Sequence, residues 1–336
     1  MNNWQKFKDN QEVWDQITLS FRGNYRQLFL WGERQAKQGW KVDRYIYKKE
    51  GEVVSSVQIF SKSFLFFKFF YIPGGVSGNC YGFGNIRGLI KSLASLSVYY
   101  VKLDSNYQNN QKAVNYFKKN KWHRPFYFLN SAKTLFIDMS TEQNISSSQF
   151  SGNWKRNLKK FEKNKATISI SNKISSADIR LATNEMQKFK NIYLRDNPNN
   201  ISEIIQIFGK DILIVYCLDS DKNILGFRSA LIIEDRAWDF YAATTPLGRS
   251  LSAGFALLNT LINECQNRGV KRFILPLSRS NHGDTLFKKG TGGVLHELVG
   301  EWEYSNIIFF RGLINYILFL MFNSSLVAFL KRFISR

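Results

Sequence analysis

Three cysteines and three histidines are all that 336 residues contain, and neither set shows a ligand-like spacing. Cys80, Cys217 and Cys265 stand far apart, which argues against a disulfide framework. His123, His282 and His296 form no pattern with them, so no zinc site is expected and the metal set is empty. The same scarcity leaves no Ser-His-Asp or Cys-His arrangement on which to rest nucleophilic catalysis. Acidic residues are short as well, 26 against 47 lysines and arginines, a formal charge of +21. A field of that sign draws polyanions: nucleic acid, phosphorylated small molecules or an anionic membrane face. The opening 20 residues carry Lys6, Lys8, Asp9, Glu12 and Asp15 and no apolar run, so no signal peptide is expected and the chain reads as cytosolic or as lying on the cytosolic face of a membrane.

What is present is a core-forming composition, 44% hydrophobic and 15% aromatic, in a chain long enough for two domains. Helical spacing is expected over 24–38, where Leu28, Trp31 and Gln35 share a face and Gly39 stops the run. Strand-like runs follow at 41–48, 53–61 and 64–72, the last broken by Pro73-Gly74-Gly75. A helix at 85–97, a strand at 98–103, a helix at 109–120 and strands at 122–129 and 134–138 complete an alternating first part. Residues 140–151 read as a linker. Beyond it, 153–165 forms a basic helix whose Trp154, Leu158 and Phe161 make an apolar stripe. Helical stretches at 176–190 and up to Gly209 precede strands at 212–218, 224–233 and 237–243, a helix at 250–268 and a short strand at 273–277. The fold class is therefore α/β with mixed sheets, divided as 1–145, 146–304 and a tail of 305–336.

The tail differs in character. Nineteen residues between Arg311 and Lys331 carry no charge, near the lower limit for a bilayer span, but Asn315, Asn323, Ser324 and Ser325 interrupt them. An interfacial helix on an anionic leaflet, a packed terminal helix and a true span all remain open, with the first preferred.

One stretch stands apart: Phe287-Lys288-Lys289-Gly290-Thr291-Gly292-Gly293, between the apolar run 273–277 and the extended run 294–302. Glycines allow positive φ and close backbone approach, and a lysine beside them can face a polarised substrate group. Taken alone, the stretch reads as a lysine pair ahead of a hairpin turn.

Its company changes that. In order along the chain come Trp31-Gly32-Glu33-Arg34 with Gly39-Trp40, Tyr71-Ile72-Pro73-Gly74-Gly75-Val76 and Lys102-Leu103-Asp104. Asn153-Trp154-Lys155-Arg156-Asn157-Leu158-Lys159-Lys160-Phe161, Trp238-Asp239-Phe240-Tyr241-Ala242-Ala243-Thr244 and Phe287-Lys288-Lys289-Gly290-Thr291-Gly292 follow. Together, over about 25–304, these resemble the Fem-type (FemA/FemB/FemX) aminoacyltransferases that add amino acids to peptidoglycan precursors. The departures are Gly74 where the family has arginine, Ser105 where it has proline, Thr291 where phenylalanine is common, and Leu275-Pro276-Leu277 where members carry an Asp-Leu-Gly-Gly run. No long helical hairpin is expected between Ser176 and Ile212, as in compact members.

The resemblance implies two tandem GNAT-like acyltransferase domains, the second carrying the acyl-transfer site; the tail lies outside it and is expected, from its own residues, to be a hydrophobic C-terminal helix associating with the inner face of the cell membrane. It implies attack of an amine on the ester of an aminoacyl-tRNA, with a UDP- or lipid-linked muropeptide as acceptor and no resident cofactor. Lys288 is the candidate oxyanion partner and Phe287 the pocket residue whose backbone carbonyl receives the amine's proton. Arg156, Lys159 and Lys160 are candidates for phosphates, Asp104 for an ammonium or amide of the acceptor, and Tyr241 for a substrate hydrogen bond. Arg34 stands next to Glu33, which occupies the place of the family's phosphate-binding lysine. Two alternatives remain: a GNAT-type N-acyltransferase using acyl-CoA or acyl carrier protein on an amino sugar, and a basic RNA- or membrane-binding protein with no catalysis.

Overall fold

The computed structural model describes residues 3–78, 81–109, 111–140, 149–192, 194, 196–278 and 282–322. The chain packs as two compact units: Met1–Ala132 with Glu297–Met321, and Lys133–His296.

In the first unit the sheet order is Asn3–Lys6, Lys41–Lys49, Glu52–Phe64, Phe67–Gly74, Val98–Gln108 and Val294–Ser305. Every neighbouring pair is antiparallel except Phe67–Gly74 with Val98–Gln108, which run parallel. A parallel pair needs a crossover, and the helix Tyr81–Ala94 supplies it. Ile86 and Ile90 on that helix are buried with Val57, Ile72, Val101 and Leu103 of the sheet.

The second unit repeats the plan. Its order is Lys133–Asp138, Arg272–Pro276, Arg236–Thr244, Ile224–Ile233, Ile212–Leu218 and Thr167–Ser171. Here Arg236–Thr244 and Arg272–Pro276 are the parallel pair, joined by the helix Ala253–Asn267. Leu257, Leu258, Leu261, Ile262 and Cys265 recur at helical spacing, and all are buried on the sheet with Val215, Ala237 and Phe273.

Several expectations need correction. The break drawn after residue 145 is not where the packing divides the chain: the strand Lys133–Asp138 belongs to the second unit, and the segment from Glu297 to Met321 to the first. Each sheet is completed by a strand that a contiguous reading assigns to the other half. No strand forms at 122–129; that segment makes one isolated bridge, His123 with Glu303. Its backbone is satisfied by a side chain instead of a ladder. Glu301 accepts from Leu129 N at 2.9 Å and Asn130 N at 2.6 Å, and pairs with Lys102 Nζ at 2.9 Å. The strands Asn3–Lys6 and Thr167–Ser171 are additions to the sequence-based expectation.

A terminal helix exists as Ile308–Phe322, and no helix among the described residues is long and apolar enough to cross a membrane. Its inner side is held to the first unit by the buried Glu303, which accepts from Asn315 Nδ2 at 2.6 Å, Arg311 Nε at 2.9 Å and Tyr100 Oη at 2.7 Å. Burial, then Glu303, raises the Tyr100 hydroxyl well above its ordinary value, so it remains a donor. Ile308, Phe309, Tyr316 and Met321 of the same helix are exposed. Residues 323–336 lie outside the described residues.

Candidate active site

The centre of the second unit is a bulge. On the pair Ile224–Ile233 and Arg236–Thr244, Ala230 faces Asp239 but Arg228 faces Ala242, so two residues, Phe240 and Tyr241, oppose Ser229 alone. Bulges bend a strand and re-aim its side chains. Ser229 Oγ accepts from Tyr241 N at 3.1 Å and donates to Tyr241 O at 3.2 Å, which satisfies the backbone groups that the ladder loses there.

The parallel pairing beside the bulge runs from Arg236 with Arg272 to Trp238 with Ile274 and stops. Asp239 and Pro276 lie just past that last pair, and Lys288 bridges them. Its Nζ donates to Pro276 O at 2.7 Å and stands 3.2 Å from Asp239 Oδ2. Crevices at the carboxyl ends of parallel strands are where open α/β sheets bind ligands.

Lys288 arrives there on a helix, not on a hairpin turn: His282–Lys289 is helical and Lys288 lies in its last turn. Thr291 closes that turn, its fully buried hydroxyl donating to Lys288 O at 2.7 Å. Asp284, one turn earlier, reaches Lys288 Nζ at 3.2 Å. Lys288 is buried while Lys289 is exposed, so burial separates two neighbours that composition does not.

Asp239 is the buried anchor of the group. Arg228 grips it with both arms, Nε to Oδ1 at 2.7 Å and Nη2 to Oδ2 at 2.6 Å. Burial alone raises such a carboxyl, but Arg228 and Lys288 outweigh it and hold Asp239 below the ordinary carboxylate value. Lys190, half-buried at the end of the helix Ser176–Lys190, is the next cation of the cluster. Burial, then Arg249, lowers its value, with Asp284 opposing and Arg228 and Lys288 adding to the depression.

An aromatic wall joins the basic helix to this site. Trp154, Phe255 and Phe287 pack with ring centroids 4.9–5.2 Å apart. Trp154 Nε1 donates to Phe287 O at 2.7 Å, so the carbonyl expected to receive the amine's proton already holds a hydrogen bond. Gly290 is required here: a Cβ would lie 2.1 Å from Trp154 Cδ1. Trp154 belongs to the helix Gly152–Glu162, whose Arg156, Lys159 and Lys160 are exposed. The indole thus ties a cationic face directly to the turn that carries Lys288.

Of the remaining expected residues, Tyr241 lies in the bulge, and Asp104 and Arg34 lie in the first unit. Tyr241 Oη donates to Asp196 Oδ2 at 3.0 Å. Asp104, in the first unit, is buried and 3.5 Å from Arg26 Nη1. Burial opposes the Arg26 charge, but Tyr25, Tyr71 and Asp104 outweigh it and raise that guanidinium above its ordinary value. Arg34, also in the first unit, is buried with its guanidinium 5.3 Å from the Trp31 ring. Sequence reasoning does not find Asp239, Arg228 or Asp284. Asp239 stands inside the stretch Trp238 to Thr244, and nothing in its neighbours along the chain marks it as a lysine's partner. A thiol nucleophile is not available at Cys217, which burial pushes up to about 12.

No protein-family model matches the chain, and no curated protein does. Solved structures do. A crystal structure of FemX aligns over 93% of this chain and 100% of its own, with a TM-score of 0.74 at 13% identity. This chain has the Fem-type tandem GNAT fold. A tandem GNAT protein from the clavulanic acid biosynthesis pathway matches at TM-score 0.60 and 8% identity, over 91% of this chain and 98% of its own. L-PGS from Bacillus licheniformis matches at 0.55 and 14%, over 91% and 96%. In this Fem-type fold each GNAT-like unit contributes one parallel strand pair, and Lys288 occupies the parting of the second. Between Ser176 and Ile212 stand only the helices Ser176–Lys190 and Pro198–Phe208 and a turn of 3₁₀ helix, a compact arrangement without a long helical arm among the described residues.

Proposed function

We propose that the protein is an acyltransferase of the aminoacyl type, moving an amino acid from aminoacyl-tRNA to an amine of a UDP- or lipid-linked peptidoglycan precursor. It would work at the inner face of the cell membrane. The carrying observation is the buried Lys288 ammonium, fixed between Asp239 and the Pro276 carbonyl where two parallel strands part. The fold it shares with FemX and with a tandem GNAT protein supports acyl transfer.

In the reaction the acceptor nitrogen bonds to the ester carbonyl carbon, the carbon–oxygen bond to the ribose breaks, and the proton lost by the amine ends on the departing ribose oxygen. The carbonyl oxygen carries negative charge in between. A preorganised cation aimed at that oxygen is worth about 3–4 kcal/mol. An ammonium has three N–H donors, and Pro276 O, Asp239 and Asp284 take them. Of the two carboxylates Asp284 is the more exposed, its side chain at 29% against 6% for Asp239. The substrate oxygen therefore replaces Asp284, and Asp239 and Pro276 keep the nitrogen in place. Holding reactants in this geometry supplies the remaining acceleration. The exposed cations of the helix Gly152–Glu162 offer phosphates of the tRNA a landing face tied to the same turn.

The test is transfer of a labelled amino acid from charged tRNA to UDP-linked and lipid-linked precursors. Transfer dependent on Lys288 supports the reading. Transfer from acyl-CoA with none from any charged tRNA replaces it with the N-acyltransferase alternative. Binding of RNA without transfer of any group leaves the non-catalytic one.

A further inference from the structure

We propose that the exposed apolar end of the first unit is a docking surface for an anionic phospholipid bilayer, with the hairpin tip Phe64-Leu65-Phe66 as its leading edge and Leu96, Ile308 and Phe309 beside it. The proposal rests on the peripheral-membrane part of the reading above and not on the transfer chemistry.

Three separate segments make this surface. The strands Glu52–Phe64 and Phe67–Gly74 close in register, Phe64 opposite Phe67, and leave Leu65 and Phe66 in the turn. Leu65 is 99% exposed at φ +49°, a backbone region that favours glycine. Folding gives no reason to hold a bare leucine in that conformation. The next segment joins through Val98 N, which donates to Phe66 O at 3.0 Å two residues after the fully exposed Leu96. The last joins through Asn306, which donates to Ser97 O at 3.3 Å and accepts from Tyr99 N at 2.8 Å. The start of the terminal helix is then locked beside the hairpin by the rings of Phe67 and Phe310, stacked 5.2 Å apart. Ile308 and Phe309 emerge there, 76% and 69% exposed. An apolar projection of this kind marks an interaction site and not ordinary surface.

Charge identifies the occupant. Residues 53–103 contain no aspartate or glutamate, and none occurs after Glu303. Lys62 and Lys68 flank the tip on the two strands of the hairpin, opposite Phe69 and Ser63, with no nearby acid in sequence to offset them. A second copy of the chain would bring like charge against like charge. A phospholipid surface matches both parts, taking the aromatic and aliphatic side chains below its headgroups and the lysines against its phosphates.

The experiment is flotation of the full-length chain on vesicles of phosphatidylglycerol with phosphatidylcholine, and on phosphatidylcholine alone, at low and high salt. Three forms are compared: the native chain, L65E/F309E, and K331E/R332E, which probes the residues beyond the terminal helix. The expected result is strong flotation on anionic vesicles, weakened by salt, and a loss of about tenfold or more in partition for L65E/F309E, with its melting curve unchanged. Failure of the native chain to float overturns the proposal. So does native-like flotation of L65E/F309E, or loss confined to K331E/R332E. If the native chain instead forms a concentration-dependent dimer that L65E dissolves, and binds no vesicle, the surface belongs to a second copy and the proposal is overturned. Flotation uses no charged tRNA or acceptor, so its failure and a failure of amino-acid transfer are separate results.

Discussion

Lys288 Nζ stands 3.2 Å from Asp239 Oδ2, and Arg228 holds the same carboxylate with two bonds of 2.6 and 2.7 Å. A lysine side chain is flexible on its own. Here its position is set by a carboxylate that is itself clamped, beside a backbone bulge that Ser229 stabilises.

Replacing Lys288 with methionine keeps the stem and removes the charge. Turnover in single-turnover transfer should fall about a hundredfold or more, while ground-state binding of the acyl donor changes little. Undiminished transfer by K288M would remove Lys288 from the mechanism.

Asp284→Asn separates two roles. If Asp284 only holds the ammonium until substrate arrives, the amide should leave kcat within about threefold and tighten the apparent affinity for the donor. A collapse of kcat by about a hundredfold would instead make Asp284 a proton acceptor in the reaction. Asp284 Oδ2, 3.2 Å from Nζ, is suited to exchange because its side chain is the more exposed of the two carboxylates.

Asp239→Ala leaves Arg228 buried without its carboxylate, a change that costs about 3–5 kcal/mol, readable as a lowered denaturant midpoint. The native pair also has a pH signature. Asp239 is held below its ordinary value in the folded chain, so the unfolded chain takes up the proton first as pH falls. Its contribution to stability is complete above the ordinary carboxylate value and is lost as pH drops through the depressed folded one. Acid titration of the native chain and of D239N, followed by intrinsic fluorescence, should show the native curve falling more steeply at the acid end.

Lys159→Glu and Lys160→Glu lie on an exposed helical face. Each should weaken tRNA binding without regard to sequence, and reduce the slope of log affinity against log salt by about one for each phosphate no longer neutralised. Melting should not move. Unchanged salt slopes would mean that this face is solvated surface and nothing more.

Much of the fold is legible along the chain because its elements carry their own period. The helix Ala253–Asn267 shows Leu257, Leu258, Leu261, Ile262 and Cys265 on one side, and the strand Ile212–Leu218 is apolar throughout. Lys288 is legible too, through its order behind five other stretches. Residues 122–129 are not: aromatic and apolar composition predicts a strand there, but side chains far along the chain take its amides, Asn315 that of Tyr127 and the buried Glu301 those of Leu129 and the next residue, Asn130. Phe287 is a candidate along the chain, and only the structure shows its carbonyl accepting from Trp154 Nε1.

The sequence by itself determined the α/β class, the position of most helices and strands, the basic face of the helix Gly152–Glu162 and the choice of Lys288 as candidate. These follow from periodicity, charge and local order, which neighbours along the chain decide. Only the tertiary structure decided that Asp239, Arg228 and Pro276 fix Lys288, that a bulge at Phe240 and Tyr241 lies beside it, and that the first unit's sheet is completed by Val294–Ser305 from the far part of the chain. A carboxylate inside a strand has no local signal for its partner. Its pairing is set by which strands part, and where, when the sheet is assembled.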